Sequence, residues 1–326
     1  MILKVAPGAK LDDEEMREVY IQTLIKLAQQ DEKIVVLDAD LMHSNNTYKF
    51  KEVFPDRGIN VGVQEANMIG IAAGLSASGK IPFAHTFTAF AARRDLDQVY
   101  VSVAYAKLNV KIVATDPGIM ATFNGGTHMS LGDMGIMRGI PTMTVVEPTD
   151  NVMIREILSQ IAYSYGPFYV RIFRKKPVKI YEEGSTFELG KGVLLRKGKD
   201  LTIIANGIMV GESLKAADIL EKRGISARVV DMFTLKPLDK ELIVNCAEET
   251  GAIVTAENHN FINGLGSSVA ETLSENFPVP MERVGVRDQF GEVGDADYLK
   301  KRFELTAEDI AKSAEKVLER KMRKNG

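Results

Sequence analysis

The chain has 326 residues, 45% hydrophobic and 26% charged, which is the composition of an ordinary soluble protein with material for two sizeable cores. A formal net charge of -3 gives no electrostatic case for nucleic acid or an anionic membrane surface, and no run of about 18 apolar residues is present to span a bilayer. The lone Cys246 excludes an internal disulfide framework, and four histidines without HxxxH or HExxH spacing argue against a protein-ligated zinc site.

The opening MILKVAPGAK has too short an apolar run for a signal peptide, so a cytoplasmic protein is expected. From Asp12 to Gln29, Met16, Tyr20, Leu24 and Leu27 share one face after an acidic opening turn, which predicts a helix. KIVVLDAD reads as a buried strand, with Asp40, Leu41 and Ser44 just past its end. In the stretch Gly58 to Gly79, alternation at Val61 and Val63 gives way to apolar residues at Met68, Ile71, Ala72 and Leu75. That switch from period 2 to a helical period predicts a strand, a tight corner carrying Glu65, and a helix. The helix is rich in small residues, among them Gly70, Gly74 and Ala77, so another element can approach its backbone.

A third strand is expected over Lys80 to Ala84, ending in HTFTAF, then a helix over Arg94 to Lys107 with Leu96, Val99, Tyr100 and Val103 in its apolar stripe. VKIVATD is a fourth strand, followed by the glycine-rich PGIMATFNGGTHMSLGD; TMTVVEPTD is a fifth, leading into a helix over Asn151 to Tyr163; FYVRIF is a sixth. Strands alternating with helices predict a mainly parallel sheet covered on both faces.

From Lys175 to Gly190 the chain turns polar, which places a boundary between domains 1–185 and 190–326. Beyond it follow DLTIIANG, a helix near Glu212 to Lys222, ARVVDMFTLKP, a helix near Asp239 to Cys246, AIVTAENHNFINGLGS, a helix over Ser267 to Glu275, MERVGV, and a closing helix over Ala307 to Arg323. The expected fold class is α/β, with two three-layer α/β/α domains, the C-terminal one smaller.

Polar and aromatic residues that no core explains fall after strand ends: Ser44, Glu65, His85 to Phe90, Asn124 to His128, and Arg174. In a parallel sheet those ends lie along one edge, where open α/β sheets place their ligands. Each residue alone also has a plainer reading. An acid at a helix start complements the helix dipole, Phe87 and Phe90 could fill a core, and an isolated arginine is a solvated charge.

In their order and spacing, GVQEANMIGIAAGL, HTFTAFAARRDLDQV, the GGTH loop, GIPTMTVVEPTD, AENHNFINGLGS and VRDQFGEVGDADYL resemble the transketolase family. Over essentially its whole length the chain is similar to the C-terminal subunit of a split, two-chain thiamine-diphosphate transketolase, made of a pyrimidine-binding domain and a C-terminal domain. The resemblance implies that Glu65 hydrogen-bonds the aminopyrimidine ring nitrogen, donating a proton that favours the imino form of the cofactor. The acid must be protonated to donate, and burial of a carboxyl favours that form. It further implies that Phe87 and Phe90 stack on the pyrimidine, that Asp40 and Leu41 lie near the thiazolium, and that Arg93 occupies a cofactor position that is aromatic in many transketolases.

On the substrate side, His128 matches a catalytic histidine of the active-site funnel, and Arg17, Ser44 and Arg174 match positions that hold a sugar phosphate. Arginine suits that role because its planar fork donates parallel charged hydrogen bonds. Asn124 stands where an aspartate usually contacts donor hydroxyls, and Asp116 replaces the histidine that follows the fourth strand. A carboxylate there would repel a phosphate unless Arg17 or Arg174 offsets it.

The family's diphosphate and magnesium motif, a GDG with a later asparagine, does not occur in this sequence. The resemblance therefore implies no metal ligands here, thiamine diphosphate and Mg held jointly with an N-terminal subunit carrying the GDG motif, and an α2β2 heterotetramer. The implied reaction transfers a two-carbon ketol (glycolaldehyde) unit between sugar phosphates. Two alternatives stand beside it: the β subunit of a 2-oxoacid dehydrogenase first component, and a degenerate non-catalytic paralogue, suggested by Asn124 and Asp116. HTFTAFAARRDLDQV, GIPTMTVVEPTD and the arginines favour transketolase.

Overall fold

The computed structural model describes residues 2–6 and 10–325; Met1 and residues 7–9 of the opening segment, and Gly326, lie outside the described residues. Four strands of the first sheet are buried at every position: β1 (Ile34–Asp38), β3 (Ile81–Phe87), β4 (Lys111–Thr115) and β6 (Phe168–Ile172). Their apolar runs are what a parallel strand covered on both faces requires. With β2 (Gly58–Asn60) and β5 (Thr144–Val146) they form a parallel sheet in the order β5-β6-β4-β3-β1-β2. Alternate residues of β1 serve opposite faces. Ile34 and Val36 join the core beneath helices Met16–Gln30 and Asn151–Tyr163, while Val35 and Leu37 join the core beneath helix Glu65–Ala77.

The C-terminal half contributes β7 (Val193–Arg196), β8 (Leu201–Ala205), β9 (Ala227–Asp231), β10 (Thr234–Lys236), β11 (Ile253–Asn260) and β12 (Met281–Val286). Five of these form a second sheet, β12-β11-β8-β9-β7, parallel except for β7. The sixth, β10, leaves it and pairs antiparallel with β5 at the edge of the first sheet. The halves are also joined by a buried ionic cluster. Arg171 on β6 donates to Asp133 (2.9 and 3.2 Å) and Glu147 (2.9 Å), and reaches the Asn258 carbonyl of β11 (3.0 Å). Glu147 accepts in turn from Asn206 (2.7 Å).

The α/β reading therefore holds, with local corrections. Val61 and Val63 are not in a strand, because β2 ends at Asn60 and Gly62 turns the chain at φ 75°. The strand over HTF runs to Phe87, so His85 lies inside the sheet rather than past its end. There its Nδ1 donates to the Leu37 carbonyl (3.0 Å), its Nε2 accepts from Tyr20 Oη (2.8 Å), and burial pushes its pKa down to about 4. The helix expected over Arg94 to Lys107 is instead a short turn, Leu96–Gln98, followed by a π-helix, Val99–Tyr105, with Tyr100 exposed. The polar stretch after Lys175, where the domain boundary is expected, runs against the N-terminal segment. It bridges to that segment at Val5–Tyr181 and Leu11–Val178, and buries Tyr181, whose hydroxyl donates to Asp231 (2.7 Å). Among the described residues, nothing comes within 4 Å of a Cβ built on Gly70 or Gly74, and no helix is long and apolar enough to cross a membrane.

Candidate active site

β1 connects outward to β2, whereas β3 connects in the opposite direction to β4. Loops that diverge in this way open a crevice at the carboxyl ends of β1 and β3, the switch point where open α/β sheets bind ligands. The wall after β1 is organised by Asp38. Its carboxylate accepts from Leu41 N (2.5 Å), Asn45 Nδ2 (3.1 Å) and Thr47 Oγ1 (2.8 Å), and burial raises its pKa to about 6. Asp40, at φ 63°, is fixed by reciprocal hydrogen bonds with Asn60 (3.1 and 3.0 Å). Arg17 reaches this turn from the first helix, donating to the Ser44 carbonyl (2.7 Å) and to Glu15 (2.8 Å).

Across the crevice, Phe87 is the last residue of β3 and Phe90 lies in the helical turn Thr88–Ala91 behind it. Their ring centroids are 5.8 Å apart, and His128 stands edge-on to both, at 6.2 Å from Phe87 and 5.2 Å from Phe90. Its Nδ1 meets Thr127 Oγ1 at 3.0 Å. Glu65 opens helix Glu65–Ala77 with its side chain only 5% exposed, and its Oε1 accepts from Arg94 Nη1 at 2.7 Å. The Arg94 guanidinium lies 3.7 Å over the Phe90 ring. Beside it Asp95 is fully buried, and neither carboxylate oxygen has a hydrogen-bond partner among the described residues. Burial, reinforced by the charge of Glu65, drives its pKa well above the usual carboxylate range.

Arg174, just past β6, lies 4.9 Å over the Phe87 ring and donates through Nε to Asp116 Oδ1 (2.6 Å), with Nη2 on the other carboxylate oxygen. Asp116 is held at φ 59° while its carbonyl accepts from Thr88 Oγ1 (2.9 Å). Burial raises the Asp116 pKa, and Arg174, Lys175 and Arg17 pull it back down. Through Arg94, Glu65 is thus linked to the contacts that join Phe90, Phe87, His128 and Arg174, with Arg17 and Ser44 on the adjoining wall. Asn124 is exposed at the end of the 3-10 helix Gly118–Asn124. Arg93 is a strap: Nε donates to the Ala89 carbonyl (2.9 Å) and Nη2 to the Thr127 carbonyl (2.8 Å), tying the Phe90 turn to the His128 loop.

Three participants escape a reading by residue type. Arg94, Asp95 and Asn258 look respectively like a surface charge, a helix-start acid and a strand-end polar residue. Asn258, from the C-terminal half, clamps the loop after β4, accepting from Ile119 N (3.0 Å) and donating to the Pro117 carbonyl (2.9 Å). That packing requires glycine at Gly118, at φ 53°, where a Cβ would lie 2.2 Å from Asn258 Oδ1. For Asp95 a signal did exist, because it precedes the buried Val99 and Val103 by four and eight residues and so shares their inner face.

Comparison with known proteins gives this architecture its relatives. Residues 13–177 match the family model of the transketolase pyrimidine-binding domain, and residues 190–310 that of the transketolase C-terminal domain. The chain belongs to the transketolase family. It is 55% identical over 312 residues, 96% of this chain and 97% of the relative, to the 6-deoxy-6-sulfo-D-fructose transketolase subunit SqwH of Clostridium sp. (strain MSTE9). It is 38% identical over 299 residues, 91% of this chain and 96% of the relative, to an apulose-4-phosphate transketolase subunit of Phocaeicola vulgatus. Among solved structures, a split-gene transketolase in an inactive beta4 tetramer superimposes with a TM-score of 0.86 at 46% identity, covering 96% of this chain and 99% of that one. Transketolases depend on thiamine diphosphate, and the implied activity is that of a transferase.

Proposed function

We propose that this chain is the pyrimidine-binding and C-terminal half of a two-chain transketolase, moving a two-carbon ketol unit between sugars that carry an anionic terminal group. The observation that carries the proposal is Glu65, a buried carboxyl at a helix start, joined through Arg94 to the Phe90 ring and its neighbour Phe87 near the switch point of a parallel sheet. The residues present fit the pyrimidine end of thiamine diphosphate. A flat nitrogen heterocycle needs an acid at its edge and apolar rings on its face, and close enough to Glu65 to feel its charge lies the buried carboxyl of Asp95, without a hydrogen-bond partner among the described residues.

When bound, the cofactor supplies the carbon nucleophile and electron sink that break the bond next to the ketose carbonyl. Glu65 would donate a hydrogen bond to the ring nitrogen, and Arg94, which now holds its Oε1, would have to give way for that contact. Phe87 and Phe90 hold the ring plane and keep water from it. Asp40 and Leu41 line the thiazolium side. His128, edge-on to both phenylalanines, holds a proton at a substrate oxygen, and Asn124 serves a donor hydroxyl. Arg17, Ser44 and Arg174 take the anionic end of the sugar.

The sequence contains no GDG motif, which supports a division of the site with an N-terminal subunit that carries the diphosphate and Mg ligands in an α2β2 assembly. Two relatives are themselves named as subunits, and the beta4 tetramer of the split-gene relative is inactive, in keeping with that reading. Glu65→Gln tests the assignment in the assembled complex. The amide keeps the shape but lacks the acidic proton, so the variant should assemble and bind cofactor while losing at least about 100-fold in kcat. Near wild-type turnover would remove Glu65 from the chemistry.

A further inference from the structure

The charges facing the Phe87 edge of the crevice do not match those a phosphate monoester needs. Three cations act on Asp116: Arg174, which is paired with it and lies over the Phe87 ring, and at longer range Lys175 and Arg17. Two carboxylates oppose them. Glu15 accepts from Arg17 (2.8 Å) and stands 4.0 Å from Lys175, and Asp116 takes two nitrogens of Arg174. Three positive and two negative groups leave one net positive charge. We propose that Asp116 is a specificity-determining residue that reserves this corner for a singly charged terminal group, a sulfonate, against a doubly charged phosphate. The inference rests on the reading of Arg17, Ser44 and Arg174 as the seat of the sugar's anionic end.

The geometry supports a selective role over a passive one. Arg174 is 16% exposed and Asp116 is 2% exposed, so water screens their charges poorly. With Nε and Nη2 on Asp116, the Arg174 fork already faces a carboxylate, and a phosphate would have to share it. Arg17 is likewise divided between Glu15 and the Ser44 carbonyl. A sulfonate carries one negative charge at any physiological pH and balances the corner. A phosphate monoester carries about -1.5 to -2 near pH 7 and would leave surplus negative charge against the buried Asp116. Replacing Asp116 by a neutral group raises the corner to two net positive charges, the complement of a dianion. The relatives bracket the choice, since one is named for a sulfonated sugar and another for a phosphorylated one.

The test uses the complex assembled with its N-terminal subunit and three matched ketohexoses that differ only at C6, bearing sulfonate, phosphate or hydroxyl. Wild type should show a higher kcat/KM for the sulfonate than for the phosphate. In Asp116→Asn and Asp116→His the phosphate-to-sulfonate ratio of kcat/KM should rise roughly 10- to 100-fold, the effect of one charge-assisted contact, and it should do so through KM. An unchanged ratio in a folded variant, or losses equal on all three sugars, overturns the proposal. Wild-type preference for the phosphate overturns it whatever the variants do. Arg174→Ala separates the underlying reading: if that variant loses equally on charged and hydroxyl-terminated sugars, the corner does not seat the anion at all.

Discussion

Replacing Arg94 by glutamine should tighten cofactor binding, an unusual direction for removal of an active-site cation. Arg94 holds Glu65 through a 2.7 Å ion pair and lies 3.7 Å over the Phe90 ring, so it occupies both groups assigned to the pyrimidine. Its side chain is 47% exposed, and solvent screening reduces the pair to about 1 kcal/mol. The cation–π contact adds about 0.5 to 1 kcal/mol at such an exposed position. Cofactor entry must part both contacts, which costs roughly 1.5 to 2 kcal/mol, or about 10- to 30-fold in Kd. Titration calorimetry of thiamine diphosphate into the assembled complex, with Mg present, should therefore show Arg94→Gln binding about tenfold more tightly than wild type. Weaker binding by the variant would mean that Arg94 grips the cofactor, and competition for Glu65 would be excluded.

The two halves of the chain offer stability tests of their own. Arg171→Met would strand the buried carboxylates of Asp133 and Glu147, so urea unfolding should show a loss of about 3 to 5 kcal/mol; a loss under 1 kcal/mol would mean the cluster contributes little. Asp231 has its pKa raised from 3.8 to about 7 by burial, against hydrogen bonds from Thr149 and Tyr181. The folded state thus binds more protons than the unfolded state between those values, and stability from this group falls as pH rises through that window. Asp231→Asn mimics the protonated form and should stabilise the protein by roughly 2 to 4 kcal/mol at pH 8 and little at pH 4; a pH-independent difference in Tm would contradict the assignment.

The central strands were legible because burial on both faces writes continuous apolar runs such as IVVLD and TIIA, and the switch-point site followed from their polar ends. Strand limits were less so. HTF reads as a polar strand end, yet Tyr20 and the Leu37 carbonyl satisfy His85 within the sheet, a partnership between residues 65 and 48 positions apart. VYVSVAY has the stripe of an ordinary helix, and periodicity does not distinguish the π-helical turn that it forms. The pairing of β10 with β5 joins short segments some ninety residues apart in the chain, a tertiary choice invisible to local pattern. Arg94 escaped because its meaning depends on Glu65, twenty-nine residues earlier. The offset required for Asp116 was foreseeable as chemistry, with Arg17 and Arg174 as the candidates, and the fold selects Arg174.

An active site shared between two chains makes turnover depend on mixing them. Ketol transfer is measured with thiamine diphosphate, Mg and an anionic ketose donor, for the purified chain alone and after mixing with its GDG-bearing N-terminal subunit. The single chain should show no turnover, and activity should appear on mixing and saturate at equimolar ratio. Robust turnover by the single chain would contradict a shared site.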